Sequence, residues 1–235
     1  MKKSLVEILI ERSSDKDFQS NRSFKIEKNK SLQYFLIVDK NISAPASRSF
    51  ILDKGASLNS YRLFLKSKEE NDFNFNHEIK EGAKIDSRSL LIGLKKESFS
   101  LKASYNFSGP SSFGRIKTDA LLSGQAKLLA EANVNVLAAA QKSDTRVDMS
   151  LILEGPGVRG EVIPGLNISA NDVKAGHSAG TFRLKAEELF YLRSRGLGPK
   201  EIRRLFILSL ANNFTTGLAD KKVKEDIIKL IKKSL

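Results

Sequence analysis

Apolar and polar residues alternate with a period of two through successive short segments, and this pattern restricts the fold more than any other feature. In residues 98–107, apolar side chains occupy every second position: Phe99, Leu101, Ala103, Tyr105 and Phe107. A period of two places one face of a strand on a core and the other in water. Turn signals such as Asp53-Lys54-Gly55 separate segments that recur about every twelve to sixteen residues, which is typical of a β-sandwich, barrel or solenoid.

Two parts of the chain fit this pattern less clearly. Leu5 to Ile10 is a short apolar run that suits either a first strand or a helical turn, and the polar stretch after it predicts a loop up to residue 30. Leu121 to Ala140 has a helix-friendly composition, but Val134 and Val136 alternate with asparagines, so we assign the stretch to strands.

A weak recurrence of turns precedes several of these runs. Gly55, Gly82 and Gly124 each stand before an apolar segment, at unequal intervals. Such spacing is compatible with the irregular coils of a solenoid, but it defines no clear internal repeat. Periodicity alone therefore leaves sandwich, barrel and solenoid open.

After Leu184 the apolar period changes to 3.6, which predicts helices. In the first helix, Glu187 lies in the first turn, Arg193 and Arg195 lie in the last turn, and Gly196 follows as the C′ residue. We expect Leu189 and Phe190 to form its buried stripe, with Tyr191 and the two arginines at the rim.

Two further helices follow. Pro199 is well placed to begin a helix that ends near Phe214, with Arg203 and Arg204 on its flank. Its predicted buried stripe consists of Ile202, Leu205, Phe206, Ser209 and Leu210. Residues 219–235 form a basic third helix with the stripe Val223, Ile227, Leu230 and Ile231. This third helix either packs on the second or lies on an anionic membrane surface.

Composition narrows the class of protein. The net charge is +13, but the lysines are scattered and no nucleic-acid-binding motif accompanies them, so an acidic protein partner or plain solubility explains the charge more simply. The chain has no cysteine, which excludes disulfides and thiolate ligands. With no long apolar run and no cleavable leader pattern, we expect a cytoplasmic protein without a transmembrane segment.

Few residues suggest chemistry. There is no P-loop, no dinucleotide fingerprint and no nucleophile elbow, so we predict that the chain is not an enzyme in its own right. His177 is the one candidate functional side chain, although a lone histidine that is hydrogen-bonded in a turn is the simpler interpretation. His77 lies on an apolar strand face and is predicted to be a core residue.

The segment around His177 carries a family resemblance. Asp172-Val173-Lys174, His177, Ala179 and the run from Leu189 to Gly196 resemble the end-of-core signature of the SufB/SufD family of iron–sulfur cluster assembly scaffold proteins. Ala175 stands where SufD-like members carry a cysteine, and Ser178 stands where a glycine follows the histidine. The chain is also much shorter than typical members and is expected to lack the family's long N-terminal helical region, which favours a diverged SufD-like member.

The resemblance implies a mainly β fold, a right-handed parallel β-helix followed by a small α-helical region. It divides the chain into an N-terminal segment (residues 1–30), a β-helix core (31–183) and a C-terminal helical region that docks an ATPase (184–235). Because each coil of a β-helix stacks on the next, its open ends must be capped or paired.

The resemblance also implies partners. A SufC-like ABC-type ATPase is expected to bind the C-terminal helices, through a residue set consisting of Glu187, Phe190, Tyr191, Arg193, Arg195, Arg203 and Arg204. A SufB-like paralogue, or a second copy, is expected to pair through a β-helix edge near His177. No cofactor is expected to be stably bound, but iron or a transient iron–sulfur cluster at that shared interface is expected to use His177 as a ligand.

Two alternatives stay open. The helix of Phe190 and Tyr191 also fits a packed cap with a solvated rim. The whole chain also fits a non-enzymatic β-solenoid whose basic amphipathic tail binds an anionic surface.

Overall fold

We describe the protein from a computed structural model, which covers residues 6–42, 45–66, 71–183, 186–218 and 220–235. Strands alternate between two parallel sheets. The first sheet contains β1 (Val6–Arg12), β3 (Ser31–Val38), β5 (Ser57–Phe64), β7 (Lys84–Gly93), β9 (Phe113–Ser123), β11 (Asp144–Glu154) and β13 (Lys174–Arg183). The second contains β2 (Asn21–Ile26), β4 (Ala46–Leu52), β6 (Asn71–Ile79), β8 (Ser98–Phe107), β10 (Lys127–Val136) and β12 (Arg159–Ile168).

The two sheets are the two sides of a β-solenoid. Each strand pairs in parallel with the strand two positions later in the chain, so one strand from each sheet makes one rung. The rungs lengthen from 25 residues between the paired Val6 and Ser31 to 32 residues between Lys127 and Arg159, and the last one, from Asp144 to Lys174, is 30 residues. This architecture confirms the parallel β-helix and the assignment of residues 121–140 to strands.

The first rung begins earlier than the sequence indicated. β1 pairs with β3 and β2 pairs with β4, so both lie in the solenoid although they belong to the stretch that we set apart as residues 1–30. The prediction of a loop there missed β2, in which only Phe24 and Ile26 alternate with polar residues.

The core between the sheets is built from ladders of like side chains. Phe24, Phe50, His77 and Tyr105 occupy the same register position on β2, β4, β6 and β8. Their rings stack in sequence, with centroids 5.1, 5.2 and 4.3 Å apart. The buried His77 is thus part of an aromatic ladder, which confirms its prediction as a core residue.

One corner of the solenoid repeats a left-handed residue in rung after rung. The residues with positive φ at this corner are Asn29, Gly55, Gly82, Ser111 and Lys142. Each donates its backbone N–H to a carbonyl of the next rung, as Gly55 does to Glu81 and Gly82 to Pro110. The repeat was hidden in the sequence because only two of its members are glycines, and Gly124 belongs to a different turn.

Three helices follow the last strand: α1 (Ala186–Ser194), α2 (Pro199–Phe214) and α3 (Lys221–Ser234). α2 and α3 pack on the outer face of the first sheet, where they form a second apolar core with Phe35, Tyr61 and Leu90 among others. Gly196, with φ of +84°, ends α1, and Pro199 begins α2, as the sequence predicted.

The buried faces of these two helices agree with the sequence to different degrees. In α3, Ile227 and Ile231 are buried and Val223 and Leu230 pack beside them, as predicted. In α2 the expected stripe is confirmed at Ile202 and Leu210, which are buried, and at Phe206, which packs beside them. It was wrong at Leu205, which is 52% exposed, and at Ser209, which is also exposed. The side chains buried in α2 are Ile202, Ile207, Leu210, Ala211 and Phe214.

The packing of α3 bears on the membrane interpretation. Its apolar face lies against the sheet and is not free to enter a lipid surface, while its lysines, Glu225 and Asp226 form the polar side of the helix. Among the described residues, no helix has the length and apolarity needed to cross a membrane.

Candidate partner-binding surfaces

The C-terminal end of the solenoid is open. β13 pairs only with β11, and β12 pairs only with β10, so within the described residues each has one unpaired edge. An exposed strand edge presents backbone N–H and C=O groups to which another chain can pair. The open end is therefore a surface that requires a cap or a partner.

His177 lies at this open end. It is on β13 rather than in a turn, and it pairs in register with the buried Val147, so it occupies a position of the inward face. Its ring crosses the end of the core, where Nδ1 lies 3.2 Å from the carbonyl oxygen of Pro164 on β12. A carbonyl only accepts, so Nδ1 is the donor in this contact, and in the neutral ring this leaves the lone pair on Nε2.

The donor set around His177 is incomplete for a metal. Among the described residues, no three His, Cys, Asp or Glu side chains lie close enough together to hold one. Ala175 offers no ligand atom, and the Ser178 hydroxyl donates to Asp148 at 2.6 Å. Iron at His177 would therefore need further ligands from another chain.

α1 presents the most exposed aromatic side chains of the helical region. Phe190 is 74% exposed and Tyr191 is 57% exposed, while the guanidinium of Arg195 lies over the Tyr191 ring at 5.4 Å. Glu187 and Arg193 are also exposed. The expectation of a buried Phe190 was wrong.

The reason lies in the helix itself. Residues 189–192 are four consecutive apolar or aromatic residues, which a helix distributes around its axis at about 100° per residue. Leu189 and Leu192, three residues apart, are the half-buried pair, and this leaves Phe190 and Tyr191 on the outer surface.

The two arginines of α2 differ in their surroundings. Arg203 donates to both carboxylate oxygens of Glu154, at 2.5 and 2.9 Å, and so ties α2 to the end of β11. Arg204 is exposed and lines a depression of about 420 Å³ with Lys200 and Lys232. Of the pair, Arg204 is the one whose charge faces outward.

Sequence reasoning missed two exposed apolar residues near these surfaces. Phe182, 58% exposed, points outward from β13 in register with Ile152, and Leu205 is exposed on α2. The sequence did contain a signal for Phe182. It lies five residues after His177, and residues an odd number of positions apart on a strand point to opposite faces, so an inward His177 predicts an outward Phe182.

These features define a class: a two-sheet parallel β-solenoid whose C-terminal strands have unpaired edges among the described residues, followed by a helical appendage that exposes an aromatic surface. The chain belongs to the family described as SUF system FeS cluster assembly, SufBD core domain, which it matches over residues 3–210.

Individual relatives agree with this assignment. The chain is 30% identical over 108 residues to the iron–sulfur cluster assembly protein SufD of Escherichia coli K12, which covers 46% of the chain and 26% of that protein. It is 38% identical over 90 residues to a SufBD family protein of Mycobacterium leprae, which covers 38% of the chain and 23% of the relative.

The SufD protein of Bacillus subtilis is 23% identical over 155 residues, which covers 66% of the chain and 36% of the relative. The matched regions thus span between 23% and 36% of the length of these relatives.

Proposed function

We propose that this chain is a SufD-like scaffold subunit for iron–sulfur cluster assembly. It docks a SufC-like ABC-type ATPase through its C-terminal helices and pairs with a SufB-like subunit, or with a second copy, through the open end of the solenoid. The family assignment supports the general role. The two surfaces of the preceding section support the division of that role between helices and strands.

The observation that carries the proposal is the exposure of Phe190 and Tyr191 on α1. α2 and α3 bury their apolar stripes on the solenoid, whereas α1 keeps an aromatic pair outward beside Arg193 and Arg195. Aromatic and arginine side chains are enriched among the residues that dominate binding energy at protein interfaces. An exposed helix of this composition is a suitable docking element for a partner groove.

In this proposal the members of the ATPase-binding set have unequal roles. Phe190 and Tyr191 are the anchors, while Glu187, Arg193, Arg195 and Arg204 form the charged rim. Arg203 supports the surface indirectly, because its pair with Glu154 holds α2 on the solenoid.

The role proposed for His177 is to meet a partner at the open end. Its free Nε2 is a ligand atom for transient iron or a nascent cluster, which is cargo rather than a resident cofactor. Since Ala175 supplies no thiolate, the partner chain provides the remaining ligands.

The docking role is tested by co-purification with the SufC-like ATPase. Changing Phe190→Ala together with Arg193→Ala removes one anchor and one rim charge, and we expect the affinity to fall by at least about 30-fold, as loss of a dominant interface residue does. The measurement is a titration by calorimetry or fluorescence anisotropy.

A matched control changes another exposed pair of one apolar and one basic residue, Leu137→Ala with Lys142→Ala on the solenoid, and is expected to bind like the unaltered chain. Unchanged affinity of the Phe190/Arg193 variant, with its circular dichroism spectrum intact, would remove α1 from the docking surface.

A further inference from the structure

The outer face of β1 carries a row of exposed apolar side chains. Val6, Ile8 and Ile10 occupy every second position of this strand and are 46%, 46% and 47% exposed. Because side chains two residues apart on a strand share a face, the three form one row about 13 Å long. β1 is at one end of the first sheet and β13 is at the other, so this row lies far from His177.

The neighbouring strands do not continue this row. In register, Val6 lies beside Ser31 and Ile8 lies beside Gln33 on β3. The next strand, β5, again has polar residues at both positions. β1 thus departs from a polar pattern at the positions where it is most exposed. Large apolar side chains on an exposed edge strand favour association with another chain.

A groove connects this row to the last helix. It has a volume of about 500 Å³. Ile10, Phe35 and Ile37 form its floor on β1 and β3, and Val223 and Leu230 form its wall on α3. These two α3 residues are the half-buried margin of the stripe by which the helix packs on the sheet. A concave apolar surface with a helical wall is suited to receive an amphipathic helix.

The rim of the groove is basic. Lys229 and Lys233 lie one helical turn apart on α3, are exposed, and take part in none of the ion pairs of the described residues. Arg12 lies on the β1 side, where it is paired with Asp39. Among the described residues that line the groove, Asp226 is the acidic one. The rim therefore complements a partner surface that is acidic.

We propose that the groove between β1 and α3 binds an amphipathic α-helix of a partner protein, with its apolar stripe on Ile8 and Ile10 and its acidic side chains beside Lys229 and Lys233. The chain itself provides a parallel, because α2 and α3 cover the neighbouring strands of the same sheet face through apolar stripes. This inference does not rest on the proposed scaffold function, which uses α1 and the opposite end of the solenoid.

The charge and shape of the groove disfavour two other occupants. If two copies of the chain shared the groove by two-fold symmetry, the lysines of one would face those of the other, and each chain has a net charge of +13. A lipid surface matches the charge but not the shape. Membrane-surface helices insert a convex apolar face, whereas the apolar residues here line a depression.

The first test titrates the full chain with fluorescent helical probes of about 18 residues, each stapled on its polar face. The acidic probe has leucines at positions i, i+3, i+4 and i+7 and glutamates elsewhere, and the basic probe has lysine in place of each glutamate. By fluorescence anisotropy we expect a Kd of about 1–100 μM for the acidic probe and at least about 10-fold weaker binding of the basic probe. Added salt should weaken the acidic complex, because the charged rim is exposed.

The second test removes the apolar floor. Ile8→Ser with Ile10→Ser is expected to weaken binding of the acidic probe by at least about 10-fold. The matched control is Ile51→Ser with Ile163→Ser, because these two isoleucines have similar exposure on the outer face of the second sheet. This control should bind the probe like the unaltered chain.

The third test reverses the rim charge. Lys229→Glu with Lys233→Glu is expected to switch the preference from the acidic to the basic probe, which is a gain that a misfolded chain would not show. Lys102→Glu with Lys127→Glu makes the same change in net charge at exposed positions of the second sheet and should keep the preference for the acidic probe.

The proposal is overturned if the acidic probe does not bind, if the Ile8/Ile10 variant binds it as its control does, or if charge reversal leaves the preference unchanged. Flotation with phosphatidylglycerol vesicles and light scattering of the unaltered chain test the other occupants. Vesicle binding or self-association that the Ile8/Ile10 variant loses would assign the groove to a membrane or to a second copy, and either result would also overturn the proposal.

Discussion

His77 is a histidine that the fold keeps neutral. Its ring stacks between Phe50 and Tyr105, and its Nδ1 donates to the carbonyl of Ser104 at 3.0 Å. Its Nε2 accepts from no donor in the part of the chain that the structure describes. Burial, with a contribution from the charge of Arg62, lowers the pKa of His77 from its usual value of 6.5 to about 3. In the core, His77 therefore acts as a stacked aromatic ring that makes one hydrogen bond.

This lowered pKa makes stability depend on pH with a definite sign. Between the folded pKa of about 3 and the unfolded pKa of 6.5, the unfolded chain binds a proton at His77 that the folded chain does not. The free energy of unfolding therefore rises with pH across that window, and this contribution is fully present above pH 6.5 and is lost as the pH falls toward 3.

We predict that His77→Phe flattens this dependence. Phenylalanine continues the aromatic ladder and cannot be protonated, so the free energy of unfolding of the variant should fall less between pH 6.5 and 4. At neutral pH the variant should be less stable by about 1 kcal/mol, because the hydrogen bond to Ser104 is lost. Urea unfolding at a series of pH values measures both effects. The matched control is His177→Phe, at an exposed histidine, and an identical pH slope in His77→Phe and the unaltered chain would contradict the prediction.

At the scale of elements, the spacing between rungs is set by backbone contacts at the corners. Gly109 is buried, and a Cβ added there would lie 2.1 Å from the backbone nitrogen of Glu81 in the preceding rung. Backbone cannot move aside as a flexible side chain can, so the close approach of two corners requires glycine.

We predict that Gly109→Ala destabilises the fold by about 1–3 kcal/mol, the usual cost of overpacking a well-packed position. Gly176→Ala is the matched control on the last rung, because a Cβ there would meet only a side-chain atom of Arg146 at 3.7 Å. Chemical denaturation compares the two variants. Equal stability of both would show that the corner at Gly109 is not tightly packed.

The three helices differ in how well the period of their apolar residues predicts the buried face. α3 has a strong apolar stripe between lysines, and its buried face follows from the sequence. α2 is apolar at each position from Leu205 to Leu208, so several faces satisfy a period of 3.6 and the sheet selects the one that contains Ile207 and Phe214. α1 is similarly ambiguous, which is why Phe190 was expected on the wrong side.

At the scale of the whole molecule, the two faces of the first sheet are covered by different elements. The inward face meets the second sheet, and the outward face is covered by α2 and α3 over its central strands. The open end at β12 and β13 is left as the surface where strand edges, His177 and small side chains coincide. An assembly of subunits uses this end most economically, because pairing there extends both sheets at once.

We predict that Ala179→Arg abolishes pairing with the SufB-like subunit or a second copy. Ala179 is exposed on the same inward-facing side of β13 as His177, in register with Met149, and a long cation there must be desolvated when a partner covers the end. Complex mass by light scattering after co-expression is the measurement. Ile51→Arg, on the exposed outer face of β4, is the matched control and should leave the mass unchanged.

The same experiment separates pairing from iron binding. His177→Ala removes a ligand but little surface, so we expect the complex mass to persist while the iron content of the purified complex falls. Iron content that is the same in both complexes would remove His177 from the proposed site without affecting the pairing surface.

The sequence by itself determined the local features of this protein. The period-two alternation gave its strands, the burial of His77 followed from its apolar strand face, and Gly196 and Pro199 set the boundary between the first two helices. Each of these depends on side chains within a few residues of one another, which a single segment already contains. The solenoid itself was expected from the family resemblance, since alternation alone allows three architectures.

Only the tertiary structure decided which surfaces remain free. The left-handed corner ladder and the open end at His177 both depend on residues that lie one or more rungs apart, at least about 25 positions along the chain. Stacking brings such residues together through backbone pairing, which places few demands on side-chain identity. Because the pairing of rungs depends on the backbone and little on which side chains are present, successive rungs show only a faint repeat in the sequence.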